Sequence, residues 1–189
     1  MKMNPLVETF KKYGTLTLEM EYALTQKAVR QERSKGDYYL KEGQTDSGLF
    51  VIEKGLVRAF FHRAGKEVNS WFGTEAIVLG SIHPLFFHRP AKENIQFLEH
   101  TILHTIGRKD LAELYETFPA LNLIGRLMAE EFCALLEERM VALQTMSATE
   151  RYEQLVQTEP NLLQRVSLGH IASYLGVSLE TLSRIRGKM

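Results

Sequence analysis

The spacing of hydrophobic positions changes twice along the chain, and each change marks a change of structure. Residues 5–34 carry a helical pattern. Val7, Phe10 and the segment Lys11 to Tyr13 make a short amphipathic turn. Met20, Leu24 and Ala28 fall on one stripe of a second helix, which Thr17 is placed to cap. Residues 35–110 read differently. Glycines 36, 43, 48, 55, 65, 73 and 80 separate short β-prone runs: Tyr38 to Lys41, Leu49 to Glu53, Leu56 to His62, Glu67 to Phe72, Asn94 to Leu98 and Thr101 to Ile106. Short strands at regular spacing with glycine turns predict a sandwich or barrel. Arg63-Ala64-Gly65-Lys66 is a hairpin turn, because Gly65 takes positive φ without strain.

Residues 111–189 return to the helical period. Leu121, Ile124, Met128, Phe132 and Leu135 recur at steps of three and four, one stripe of a helix from about Phe118 to Thr145. Leu123, Leu127, Leu136 and Met140 add apolar surface beside it. Such a helix is roughly 40 Å long at about 1.5 Å per residue, more than one small β-domain covers. The stripe Leu121, Ile124, Met128, Phe132 and Leu135 is therefore expected to be a dimer interface. Ser147-Ala148-Thr149 reads as a hinge, Arg151 to Gln157 as a new helix, and Glu159-Pro160-Asn161 as its break.

The segment Leu168 to Ile185 has the pattern of a helix-turn-helix. Ser167 caps a first helix, and Ala172 is small where a second helix must cross closely. Gly176 ends the first helix in a left-handed conformation that a Cβ would penalise. Ser178 caps the second helix. Ile171, Leu175, Val177, Leu182 and Ile185 bury between the two. The outer side of the second helix keeps Ser178, Leu179, Glu180, Thr181, Ser183, Arg184 and Arg186, with Lys188 beyond its end. These side chains suit DNA: Arg184 can fork onto guanine, Glu180 can accept from cytosine, and Ser or Thr can hold phosphate.

Composition narrows the function classes. Lys plus Arg and Asp plus Glu each total 23, so the chain is not a general polyanion binder, and nucleic-acid contact must come from a local patch. The single cysteine, Cys133, can form neither an intrachain disulfide nor a cysteine-rich metal site. On the long helix it reads as buried packing. No apolar run has the length of a signal peptide or membrane span, which predicts a cytoplasmic chain with no membrane partner.

The segment Ser178-Leu179-Glu180-Thr181-Leu182-Ser183-Arg184-Ile185 resembles the recognition helix of the Crp/Fnr family of bacterial regulators, which includes the catabolite activator protein. The order of glycine-rich roll, long helix, hinge and helix-turn-helix is similar too. So are Lys41-Glu42-Gly43-Gln44, the run Leu49 to Val57, and Gly65-Lys66-Glu67. The resemblance implies an α+β protein: an N-terminal double-stranded β-helix (jelly-roll-like) domain over 1–116, a long dimerisation helix over 117–146, and a helix-turn-helix domain over 147–189 without a full wing. It implies a homodimer on a two-fold-symmetric double-stranded DNA operator, with RNA polymerase and a small-molecule effector as further partners. Glu180 and Arg184 would read bases and Thr181 would contact the backbone. Leu179 stands where many members have Arg, which removes one guanine-reading group.

Members that bind cyclic nucleotides carry a Gly-Glu pair on a short helix and then an Arg-Ser or Arg-Thr pair. Here Gly80 is followed by Ser81, and the Arg-Ser pair falls near Ala91-Lys92, with Arg89 close by. Gly80, Ser81, Arg89, Ala91 and Lys92 are thus the candidate effector pocket, and the missing Glu argues against cyclic AMP and cyclic GMP. The N-terminal cysteines of iron–sulfur members are absent. His83, His88, His100 and His104 read as surface or loop histidines, and no His-x-His pair points to a cupin-like metalloenzyme. No metal, cofactor or enzymatic activity is expected. Trp71, Phe72, Phe86, Phe87 and Phe97 read as core, with an effector pocket as the alternative. The rival reading of the whole chain is a β-roll sensor whose helical tail binds protein rather than DNA.

Overall fold

A computed structural model describes residues 4–188, so Met1–Met3 and Met189 lie outside the described residues. Asn4 caps α1 (Pro5–Lys11), whose first residue is a proline already set at a helical φ. Thr17 caps α2 (Leu18–Lys27). The helical zone then ends sooner than its pattern suggests. Val29–Arg33 is a strand, β1. It shows no apolar alternation and is held by its ladder to the strand Thr101–Gly107, from Val29 opposite Thr105 to Arg33 opposite Thr101.

The remaining strands are β2 (Tyr38–Leu40), β3 (Gly48–Lys54), β4 (Val57–Arg63), β5 (Lys66–Gly73), β6 (Val78–Leu79), β7 (Asn94–Phe97) and β8 (Thr101–Gly107). They form two four-stranded sheets, in the orders β1-β8-β3-β6 and β2-β7-β4-β5. Apart from the β4–β5 hairpin, whose two strands pair in one sheet, consecutive strands alternate between the sheets, as a double-stranded β-helix requires. The β4–β5 turn takes positive φ at both Ala64 and Gly65, the geometry that matches the twist of the two strands. A short helix, α3 (Ile82–Phe87), interrupts the strands.

The C-terminal part is helical: α4 (Arg108–Thr117), α5 (Ala120–Thr145), α6 (Ala148–Thr158), α7 (Leu162–Arg165), α8 (Leu168–Leu175) and α9 (Leu179–Arg186). Phe118 precedes Pro119 and leaves helical geometry at φ −125°, ψ 86°, which separates α4 from α5. The expected hinge at Ser147-Ala148-Thr149 is shorter than its composition suggests. Ser147 is the N-cap of α6 in a capping box with Glu150, so Ala148 and Thr149 already belong to the helix.

The chain folds as two compact units, one of residues 1–59 and 72–131, the other of 60–71 and 132–189. The core of the first gathers Leu6, Phe10, Leu24, Val51, Ile106 and Leu114 with Leu121 and Ile124 of α5. Leu121 is 0% and Ile124 2% exposed. Ile124 Cγ1 lies 3.1 Å from where a Cβ on Gly14 would sit, so it fills the corner between α1 and α2. Ile124→Ala should lower stability by about 2–5 kcal/mol through lost burial and the cavity left behind. A urea titration should show a lower midpoint with an unchanged slope, whereas an unchanged midpoint would mean that the corner is loosely packed.

Candidate nucleic-acid interface

Within the second unit, Ile171, Ala172 and Leu175 of α8 bury with Leu182 and Ile185 of α9, and Tyr152 and Leu155 of α6 are buried as well. Val177, read as a fifth buried position between α8 and α9, is only partly covered. Gly176 closes α8 at φ 71°, ψ 31°, where L side chains are strained. Ser167 accepts from the His170 N–H and Ser178 from the Thr181 N–H, so each helix begins on a side-chain cap.

Two arginines fix the frame around the turn. Arg151 Nε donates to the Leu175 carbonyl at 3.1 Å and Nη1 to the Met146 carbonyl at 2.6 Å, which satisfies the open ends of α8 and α5. The Arg139 guanidinium stacks 3.9 Å from the Tyr174 ring centroid and donates to the Tyr174 carbonyl. Sequence reasoning missed both roles, because neither residue stands at a patterned position of the motif.

The outer side of α9 is open to solvent. Ser178, Leu179, Glu180, Ser183, Arg184, Arg186 and Lys188 are exposed, and Thr181 is half-covered. Arg184 Nη2 donates to Thr181 Oγ1 at 3.2 Å, so the guanidinium lies along the face and not away from it. The Ser178 hydroxyl, followed by a backbone N–H and the charges of Arg184 and Lys66, holds the Glu180 carboxyl below the usual carboxylate range. Glu180 is therefore a fixed acceptor at neutral pH.

The expected dimer stripe divides. Leu121 and Ile124 are spent in the core of their own chain, and Met128 packs partly against it. Phe132 and Leu135 are exposed, as are Leu136, Met140 and Leu143. Phe132, Leu136, Met140 and Leu143 follow at steps of four, four and three, a second apolar face displaced from the first. Cys133 is exposed on this helix and not buried.

The candidate effector residues differ in burial. Ser81 and Ala91 are buried, but Arg89 and Lys92 are exposed. Ala91 is clamped by backbone bonds, accepting from Gly43 at 2.9 Å and donating to Gln44 at 2.8 Å. Arg89 sits 6.0 Å over the Phe87 ring. Phe87 and its neighbour Phe86 are about 60% exposed and are not core, unlike the fully buried Phe97. Among the described residues Arg58 is a buried cation, 3% exposed on β4, with Nε and Nη2 donating to Gln96 Oε1 at 3.0 and 2.7 Å. It lies in a strand buried on both faces, where alternation gives no hint of it. His104 pairs with Glu53 at 2.9 Å, and His100 lies 3.8 Å from Glu32. Among the described residues no cluster of three or more metal-ligating side chains occurs, and no helix is long and apolar enough to cross a membrane.

No protein-family model matches the chain. Electron transport regulator A of Shewanella oneidensis is 27% identical over 169 residues, which is 82% of this chain, and the chain spans 66% of that relative's length. A CooA mutant from Carboxydothermus hydrogenoformans superposes with a TM-score of 0.71 at 18% identity, over 100% of this chain and 84% of its own. The catabolite activator protein of Thermus thermophilus does so with a TM-score of 0.58 at 21% identity, over 93% of this chain and 84% of its own. The chain has the fold of the Crp/Fnr regulators, with a β-roll, a long helix and a helix-turn-helix.

Proposed function

We propose that this chain, built on the Crp/Fnr fold, is a sequence-specific DNA-binding transcription regulator and not an enzyme. It acts as a homodimer that lays two copies of α9 on a two-fold-symmetric operator. As a regulator it works in the cytoplasm, where its DNA is, and meets RNA polymerase there. The observation that carries the reading is the α8–α9 pair: a left-handed Gly176, a side-chain cap on each helix, and an outer face of Leu179, Glu180, Ser183, Arg184 and Arg186 left open to solvent. A helix that only closed a domain would have no need of a preset Arg184 and an ionised Glu180 on its outer side.

The segment from residue 145 to 189 is nearly neutral, with five Lys or Arg and four Asp or Glu. Base contacts must therefore carry much of the discrimination. Losing a bidentate Arg184–guanine pairing costs roughly 1–3 kcal/mol at one base position. Selection from a random duplex pool should yield a symmetric site, and Arg184→Ala should relax preference at one step of each half-site. Lys188→Ala should weaken all sequences alike. Equal selection by wild type and Arg184→Ala would mean that α9 does not read DNA.

The dimer forms through the C-terminal half of α5, with Phe132, Leu136 and Met140 at its centre. Leu136→Glu should halve the mass seen by light scattering, because it would bury an unpaired charge. Met128→Glu should instead unfold the protomer, since Met128 packs on its core. An unchanged dimer mass for Leu136→Glu would place the interface elsewhere.

The effector is neither cyclic AMP nor cyclic GMP. Ser81 stands where the ribose-binding carboxylate would be, and the cations Arg89 and Lys92 lie in solvent. Titration calorimetry should show no heat of binding at micromolar nucleotide, and micromolar affinity for either would overturn this. No cofactor is required.

A further inference from the structure

The second compact unit contains a piece of the β-roll as well as helices: residues 60–71, the outer part of the β4–β5 hairpin. Hydrogen bonds hold it against α8. Ser173 Oγ donates to the Glu67 carbonyl at 2.9 Å and accepts from the Asn69 N–H at 3.0 Å. Asn69 Nδ2 donates to the His170 carbonyl at 3.4 Å, and Asn69 is buried. A single hydroxyl thus joins an acceptor and a donor two residues apart on one strand. Only a strand lying alongside α8 can satisfy both.

Beyond this tie the hairpin is open. His62 to Val68 are all exposed, and a Cβ built on Gly65 would meet nothing within 4 Å. The tip carries Arg63 and Lys66 against one acidic side chain, Glu67. It reaches toward the reading helix: the charge of Lys66 is among those acting on Glu180, in the first turn of α9. The basic tip is therefore tied to α8, the helix that packs against the one proposed to enter the major groove. That groove is only about 12 Å wide, so a cation just outside the helix footprint meets the bordering phosphates. The helices of this unit are nearly neutral, and their hold on a polyanion needs such a supplement.

We propose that the β4–β5 hairpin tip is a second DNA-contacting element, with Arg63 and Lys66 gripping the phosphate backbone that flanks the recognition helix. The tip adds affinity without sequence information, and Ser173 and Asn69 set its position. This rests on the reading of α9 as the DNA-reading helix.

The test uses the full chain, a duplex selected from a random pool by the wild type, and an unrelated duplex, with binding followed by fluorescence anisotropy at several salt concentrations. Removing one cation from one phosphate should flatten the slope of log K against log salt by about 0.9, so Lys66→Ala in a two-fold complex should flatten it by roughly 1.8, and the double variant with Arg63→Ala by more. Both duplexes should weaken by the same factor, and the selected sequence should not change. Lys66→Arg should keep the wild-type slope. An unchanged slope in the double variant, with wild type binding normally, would overturn the proposal. So would tighter binding by the double variant, which would mean that the tip screens α9. If the wild type selects no duplex at all, the reading of α9 itself has failed and the hairpin proposal falls with it.

Discussion

The burial of Leu121 and Ile124 in the corner between α1 and α2 sets the terms for the rest of the long helix. A helix turns by a fixed angle at each residue, so one face turned inward leaves no freedom about the others. With Leu121, Ile124 and Met128 committed to the core, the steps of four from Met128 through Phe132, Leu136 and Met140 carry the exposed apolar positions progressively round the helix. The approach is close. The Tyr115 hydroxyl lies 2.5 Å from where a Cβ on Gly125 would stand, so any side chain there would force Tyr115 or the helix to shift. One helix thus serves its own core with its first turns and offers apolar surface with its later ones.

The helix-turn-helix is rigid for different reasons. Its apolar core is small, and its polar anchors share the work. Gly176 sets the turn, Arg151 ties off two helix ends, Arg139 stacks on Tyr174, and Ser173 bonds the hairpin. These half-buried arginines satisfy helix-end carbonyls and tie the helices to one another. Fixed orientation matters when a balanced charge supplies little attraction at a distance. On this reading the discrimination of a site comes from where Glu180 and Arg184 stand, and the strength of the grip from cations at the margin.

The fold and the helix-turn-helix were legible in the sequence, because both rest on local rules. Positive φ at Gly65 and Gly176, caps at Thr17, Ser167 and Ser178, and the three-and-four spacing of apolar positions are set by residues close in the chain. What lay between distant residues was not legible. Val29–Arg33 is a strand only because β8 is there to pair with it. Phe86 and Phe87 look like core by composition yet face solvent, since α3 turns them outward. Arg58 sits in the interior because Gln96, on another strand, meets its guanidinium. The stripe from Leu121 to Leu135 is uniform to the sequence but buried only at Leu121 and Ile124 in the structure: periodicity states which side chains share a helix face, and only packing decides which part of that face is already occupied.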